Sequence, residues 1–471
     1  MQNLSIVEAL ESSEFFADSF PNIETWTAWK IFLKSVYGIE LNKNELEVFQ
    51  ECTQRESVLP NGFSEVYCIC GRRGGKSKIA SLIAAYEAIL GGWEQKLSPG
   101  ERGWIFVVST DKSQSGIVLN YIRELLSHVP DIIERELSDE LHLTNHISIG
   151  IKTCSYRGVR GFSTVGIIAD EVAFWRDENS ANPAEEIVIS LLPGLKEGGR
   201  LVGISTPYAR YGFLYEQFKN FYGRSDSDTL IWRAGTKFMN PTYPDAIINR
   251  LVKRDKVAFD SEYNAEFRSD VANFLSEEII RAAMKHAPLP YDQTKSYYAF
   301  IDPSGGRSDS MTLAISHREE EKIVIDRVEE TRAPFDPSSV VQQFSTLLKS
   351  YHVYEATSDR YAGVWPESAF SKEGVVLRMS ELPASDLYLE FQPLMAMGRV
   401  ELPNDERLCL QFQMLERRTR TGGRDSVDHP PGLHDDMANS AAGAAYLAAQ
   451  KAWWDEATRE SMMPVHRWKK V

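Results

Sequence analysis

The chain has 471 residues, 43% hydrophobic and 25% charged, which excludes a disulfide-stapled mini-protein, wholesale disorder and a fibrous rod, and suits two or three domains with separate cores. Its 52 Lys and Arg against 67 Asp and Glu give a formal charge of -15, so it does not coat nucleic acid by bulk electrostatics, and any DNA contact has to use local basic patches. Such an acidic balance suits a solvated surface and also the gathering of carboxylates around Mg²⁺. The five cysteines, Cys52, Cys68, Cys70, Cys154 and Cys409, include no C-x-x-C pair. Being odd in number, they cannot form a complete disulfide framework, and a reducing cytosol is expected. The opening MQNLSIVEALESSEFF carries acids where a secretory signal needs a basic region. No apolar run approaches the ~20 residues of a spanning helix, so neither secretion nor membrane insertion is expected.

In chain order, residues 1–60 read as a helical segment with acidic and aromatic residues (Phe15, Phe16, Trp26, Trp29, Phe32). SEVYCIC, GRRGGKS and KIASLIAAYEAIL then read as a buried strand, a Gly-rich turn and a helix. WIFVVS, TVGIIAD and RLVGIS are further apolar strands with helices or turns between them, a pattern that implies a parallel sheet covered on both faces. A first domain is therefore expected over 1–270. A helix with a proline-punctuated linker is expected over 271–295. From Ser296, YYAFID, SMTLAIS and KIVIDRVEE predict an antiparallel meander. A helix, the strand YEATSD, a helix, the strand GVVLRMS and more helices follow, which extends a second domain over 296–450. DDMANSAAGAAYLAAQKAWW is a strong helix by propensity, and 451–471, ending in HRWKK, reads as a C-terminal tail.

Gly71-Arg72-Arg73-Gly74-Gly75-Lys76-Ser77 stands where a phosphate cradle belongs, after a strand and at a helix start. Amides freed by Gly71, Gly74 and Gly75 can face phosphate oxygens, Lys76 can reach the β- and γ-phosphates of ATP, and Ser77 can ligate Mg²⁺. A full G-x-x-x-x-G-K-[ST] needs glycine at position 70, which is Cys70; Gly71 comes one place late. Downstream, IIADE ends a strand in two acids, with Asp170 suited to Mg²⁺ and Glu171 to polarising the attacking water. Arg73 could neutralise phosphate charge in cis. Arg160, in YRGVRGF, reads equally as an arginine finger for a neighbouring subunit and as plain surface. Ser205-Thr206-Pro207 follows the next strand, where hydroxyls can sense the γ-phosphate. Gln50 reads as a weak adenine contact or a surface residue.

The second half carries carboxylates. Asp302 ends the strand YYAFID before a Pro/Gly turn, Asp309 lies across that turn, Asp359 ends YEATSD, and Asp435 and Asp436 open the last helix. Hard oxygen ligands converging from strand ends and a helix start suit paired Mg²⁺ or Mn²⁺ ions flanking a scissile phosphate. Helix N-capping, at ~1 kcal/mol, is the structural alternative for Asp435 or Asp436. Arg417, Arg418, Arg420 and Arg424 lie in a Gly-containing loop able to follow a DNA backbone, or simply solvated.

On GRRGGKS, IIADE, the STP segment, FIDPSGGRSD, ATSDRYAG and GLHDDMANSAAGA, in that order from about residue 45 to 450, the sequence resembles the large terminase subunit of tailed double-stranded DNA bacteriophages. The resemblance implies an α/β chain: an N-terminal P-loop ATPase of the ASCE class with a mainly parallel sheet, joined to an RNase H/RuvC-like nuclease domain with a mixed sheet. It implies a motor that hydrolyses ATP to drive double-stranded DNA into a procapsid and cuts concatemers by two-metal endonuclease chemistry. Lys76 and Ser77 would then be Walker A residues, Asp170 and Glu171 Walker B, Ser205-Thr206-Pro207 the coupling motif and Arg160 the trans-acting finger. Asp302, Asp359 and one of Asp435 or Asp436 would hold the nuclease Mg²⁺ or Mn²⁺, with Asp309 assisting. The partners implied are a small terminase subunit and the portal ring, on which the subunits would form a homo-pentamer, in the host cell cytoplasm. A helicase-like translocase whose RNase H-like half does not cut, and a non-catalytic capsid or portal adaptor, are the competing readings.

Overall fold

The computed structural model describes residues 4–462 except 111, 154–160, 176–179, 181–182, 254, 360–364 and 420–424, with backbone alone at 112–114 and 451–462. The chain divides into two units, Met1–Asp270 and Val271–Val471. Among the described residues no helix is long and apolar enough to cross a membrane. Cys52, Cys68, Cys70 and Cys409 are free and buried, and Cys154 lies outside the described residues.

The first unit opens with helices α1 (Ile6–Glu11), α2 (Thr27–Val36) and α3 (Lys43–Thr53). Reciprocal capping boxes, Ser5 with Glu8 and Asn42 with Glu45, start α1 and α3. Strands β1 (Glu65–Cys70), β2 (Gly103–Ser109), β3 (Ile133–Glu136), β4 (Glu140–Leu143), β5 (Ile147–Thr153), β6 (Ser163–Asp170), β7 (Leu195–Ser205) and β8 (Thr229–Ala234) form one sheet, in the order β3-β4-β5-β2-β6-β7-β1-β8. It is parallel from β5 to β8, with β3 and β4 added antiparallel at one edge. Helices α4 (Lys76–Leu90), α5 (Lys112–Leu126), α6 (Pro183–Leu191), α7 (Phe213–Phe221), α8 (Thr236–Met239), α9 (Asp245–Val252) and α10 (Lys256–Asn264) complete it. Alternate residues of β1 serve two cores: Val66, Cys68 and Cys70 pack with α1–α5, while Tyr67 and Ile69 pack on the opposite face with Val188 and Leu214. Strand β7 lies between β1 and β6, with Ile69 opposite Ser205 and Asp170 opposite Ile204. Three strand ends carrying GRRGGKS, STP and DE are thereby set side by side.

The second unit contains β9 (Val271–Asn273), α11 (Glu277–Ala283), β10 (Met284–His286), β11 (Tyr297–Asp302), β12 (Met311–Glu319), β13 (Lys322–Thr331), α12 (Pro337–Ser350), β14 (Glu355–Ser358), α13 (Trp365–Lys372), β15 (Val376–Met379), α14 (Ala384–Ala396), β16 (Val400–Pro403), α15 (Glu406–Met414), β17 (Glu416–Arg418), β18 (Ser426–Asp428) and α16 (Asp436–Met462). Its main sheet runs β10-β16-β13-β12-β11-β14-β15, and a small one runs β18-β17-β9. The meander β11–β13 is antiparallel, and β14 and β15 add in parallel beside β11. The second sheet is therefore mixed, as expected.

Two boundaries differ from those expected. The stretch 271–295 is not a linker over its first half: β9 pairs with β17, β10 pairs with β16, and Phe274, Leu275 and Ile280 are buried in the second unit's core. Apolar residues at that spacing stabilise the fold only when covered. The expected tail from 451 begins as helix, because α16 continues to Met462, and 463–471 lie outside the described residues. The alanines of α16 have a packing role as well as helix propensity. Ala438, Ala441, Ala442, Ala444, Ala445 and Ala448 are buried, and a Cβ on Gly443 would lie 2.3 Å from the Phe300 ring of β11.

Candidate functional sites

In the first unit the turn after β1 is fixed through its backbone carbonyls. Trp29 Nε1 donates to the Gly74 carbonyl (2.7 Å), Thr236 Oγ1 to that of Arg72 (2.8 Å) and Asn240 Nδ2 to that of Arg73 (2.9 Å). The Arg72 guanidinium also pairs with Glu262 (2.8 Å). With the carbonyls engaged from outside, the first-turn amides of α4, which no helix satisfies internally, are left for an anion. Gly75 turns the chain into α4 at φ +99°, a conformation that glycine adopts without strain. A Cβ on Gly74 would meet Cys70 Sγ at 2.5 Å. Cys70 therefore fills the inside of the turn, and burial pushes its thiol up to about 12, leaving it an inert packing group.

Lys76 is 6% exposed. Its Nζ donates to the carbonyls of Cys70 (3.2 Å) and Gly71 (3.4 Å) and lies 3.7 Å from Glu171 Oε1. Asp170 ends β6 buried, its Oδ1 without a partner among the described residues. Burial, then the charge of Glu171, pushes its carboxyl up to about 7 against the opposing pull of Lys76. Glu171, at φ +50°, accepts at Oε2 from Ser205 Oγ (3.1 Å), the Thr206 amide (3.1 Å) and Thr206 Oγ1 (3.3 Å). The Pro207 carbonyl in turn accepts from Ser261 of α10 (3.0 Å). The orphaned Asp170 oxygen and the hydroxyl of Ser77, in the first turn of α4, are hard donors of the kind Mg²⁺ takes.

Arg73 is exposed, at φ +64°. Gln50 is exposed near the end of α3, donating to the nearby Glu56 carbonyl (3.1 Å). Arg160 lies outside the described residues.

In the second unit Asp302 at the end of β11, Asp359 just after β14, and the start of α16 converge. Asn439 Nδ2 donates to Asp302 Oδ2 (2.7 Å) and Asp359 Oδ2 (3.0 Å). Asp436 has a buried Oδ2 without a partner among the described residues, and burial, then the charge of Asp435, pushes its carboxyl up to about 6. Asp302 is raised well above the usual carboxylate range by burial, with Asn439 opposing and Asp436, Asp359 and Asp435 adding to it. Asp435 is raised too, again chiefly by burial, with His429 and Tyr388 opposing. It is turned to other partners: its Oδ2 accepts from Tyr388 (2.7 Å), and its Oδ1 lies 3.8 Å from His429 Nε2. Asp309 is exposed, 3.6 Å from His434 Nδ1.

The helix start is itself anchored. Gln411 of α15 accepts from the amides of Met437 (2.8 Å) and Ala438 (3.0 Å), and Thr312 donates to the Asp436 carbonyl (2.7 Å). Among the described residues no three His, Cys, Asp or Glu side chains are drawn closely enough together to hold a metal as they stand. Asn439 bridges two of the carboxylates instead. Three acids with raised carboxyls beside Asp359, one of them with an orphaned oxygen, are nevertheless a donor set suited to a hard cation.

Of the basic loop, Arg417 is paired with Asp425 (2.8 and 2.5 Å) and Gln392 (2.9 Å), and Arg418 with Glu416 (3.2 Å). Both charges are thus largely engaged within the protein. Arg420 and Arg424 lie outside the described residues. Sequence reasoning missed the site roles of Trp29, Tyr388, Gln411 and Asn439; Asn439 lies within GLHDDMANSAAGA, and the other three belong to no recognisable motif.

No protein-family model matches the chain, and no curated protein does. Among solved structures, it is similar to the HK97 bacteriophage large terminase, at 15% identity over 83% of this chain and 92% of that one, with a TM-score of 0.40. It is likewise similar to the large terminase of a thermophilic bacteriophage, at 11% identity over 82% and 94%, TM-score 0.38. The magnesium-bound large terminase nuclease of thermophilic phage G20c is similar at 17% identity over 36% of this chain and 94% of that one, TM-score 0.31.

Proposed function

We propose that this chain is the large subunit of a phage terminase, which hydrolyses ATP to move double-stranded DNA into a procapsid and cuts that DNA with a metal-dependent endonuclease site. One observation carries the reading: a phosphate cradle ending in Lys76 and Ser77, beside Asp170, Glu171 and Ser205-Thr206, occurs in the same chain as the convergence of Asp302, Asp359 and Asp436.

In the first unit the amides after Gly74 and the ammonium of Lys76 would hold the β- and γ-phosphates. Glu171 would polarise water for in-line attack on the γ-phosphate. Arg73 would neutralise charge in cis and Arg160 in trans, with Gln50 toward the base. Because Ser205 and Thr206 hold Glu171 directly, a change of charge at the phosphate would be transmitted along β7, and through Pro207 and Ser261 to α10.

In the second unit Asp302, Asp359 and Asp436 would hold Mg²⁺ or Mn²⁺, with Asp435 orienting from behind and Asp309 at the rim. A divalent ion held there supplies charge neutralisation at the scissile phosphate and a more acidic water. Of the basic loop, Arg420 and Arg424 would border the DNA path, since Arg417 and Arg418 are engaged by Asp425, Gln392 and Glu416. The partners this function calls for are a small terminase subunit and a portal ring that assembles a homo-pentamer, in the host cytoplasm.

The test is a pair of assays on the full chain. ATP turnover should be lost in Lys76→Ala while metal-dependent cleavage of plasmid persists, and cleavage should be lost in Asp302→Ala while ATP turnover persists. Turnover without cleavage in wild type would leave a translocase that does not cut.

A further inference from the structure

We infer that Asn439 is a positioning residue of the carboxylate centre, its amide holding Asp302 and Asp359 side by side and in reach of one cation. The inference rests on the reading of that centre as a metal site. Asn439 is 4% exposed, and both hydrogens of its Nδ2 are used, one on each carboxylate, at 2.7 and 3.0 Å. Two carboxylates close together in a buried setting repel unless something donates to both. The amide does this without adding a charge that would compete with a metal. Its Oδ1 is buried and has no hydrogen-bond partner among the described residues, which leaves an acceptor unused.

The sequence points the same way. Asparagine is a poor residue inside a helix, yet position 439 lies within an alanine-rich first stretch of α16 where Ala would be the better helix former. It follows Asp436 by three residues, so the two share a face of α16. A buried asparagine that costs helix propensity and spends both donors on metal-site acids has the arrangement of an outer group that orients ligands.

The experiment is calorimetric Mn²⁺ titration of the full chain, wild type against Asn439→Ala and Asn439→Asp, with thermal melting at zero and saturating Mn²⁺. Loss of an outer orienting group commonly weakens metal affinity about 10- to 100-fold, and a rise of that size in Kd is expected for Asn439→Ala. Asn439→Asp keeps the size and removes the donors. Its metal-free melting temperature should fall below wild type, and Mn²⁺ should raise it by more than it raises wild type, because the cation replaces the missing donor. Unchanged Kd in Asn439→Ala with only a lower melting temperature, or equal Mn²⁺-induced shifts in wild type and Asn439→Asp, would overturn the inference and leave Asn439 as ordinary packing. No Mn²⁺ binding by wild type would overturn the metal-site reading itself, and the inference with it.

Discussion

Nζ of Lys76 lies 3.7 Å from Oε1 of Glu171, so the group suited to phosphate and the group suited to water are paired with each other. Glu171 is also held by Ser205 and Thr206, which leaves it anchored when Lys76 turns to a phosphate. For Glu171→Ala, ATP turnover is expected to fall by the about 10²–10⁴-fold typical of a lost general base, while nucleotide binding persists. Steady-state hydrolysis with a parallel binding titration checks this, and undiminished turnover would remove Glu171 from the reaction.

Asp435 and Asp436 are adjacent but not equivalent. Asp436 keeps an orphaned buried oxygen, whereas Asp435 is engaged by Tyr388. Asp436→Asn is therefore expected to abolish Mn²⁺-dependent DNA cleavage as fully as Asp302→Asn does. Asp435→Asn, which can still accept from Tyr388, is expected to retain measurable cutting. Rates of supercoiled plasmid nicking for the three variants decide it.

Trp29 fixes the cradle from α2. Trp29→Phe preserves most of the buried ring contact with Phe32 but removes the donor to the Gly74 carbonyl. A lost hydrogen bond of this kind costs about 1 kcal/mol, more when the carbonyl left behind stays dry. A lower melting temperature and a several-fold rise in the Kd for ATP are expected together, with the nuclease activity unaffected.

Gly443 is required by the approach of α16 to β11. The added methyl of Gly443→Ala would meet the Phe300 ring at 2.3 Å, and overpacking of a filled core costs about 1–3 kcal/mol. Helix propensity alone predicts the opposite sign, since Ala exceeds Gly by about 1 kcal/mol. Thermal or urea unfolding of the variant separates the two effects, with destabilisation expected.

Much of the site chemistry is readable from the sequence because it sits at changes of pattern. An apolar run that stops at Asp170-Glu171, Ser205-Thr206 or Asp302 marks a strand end, where the site groups of both sheets are presented. What is not local is not readable. That β7 lies between β1 and β6 depends on strand order, which no window of sequence carries. Strand β3 is short and runs through the charged Glu134, Arg135 and Glu136, so its periodicity is weak. The stretch after Val271 reads as a linker because prolines follow it, yet Phe274, Leu275 and Ile280 find cover in the second unit. Arg417 and Arg418 read as free charge only until their partners Asp425, Gln392 and Glu416 are brought beside them by folding. Asn439 lies inside GLHDDMANSAAGA, but nothing there singles it out except its poor fit to an alanine-rich helix.

The central claim, one chain carrying a nucleotide motor and a DNA-cutting centre, is tested most directly by cleavage of supercoiled plasmid with Mg²⁺ or Mn²⁺, comparing wild type with Asp302→Ala. Metal-dependent cutting by wild type that vanishes in Asp302→Ala, with ATP turnover equal in both, is the predicted result. Cutting that survives in Asp302→Ala, or its absence from wild type under both metals, would contradict the assignment of the second unit as a nuclease.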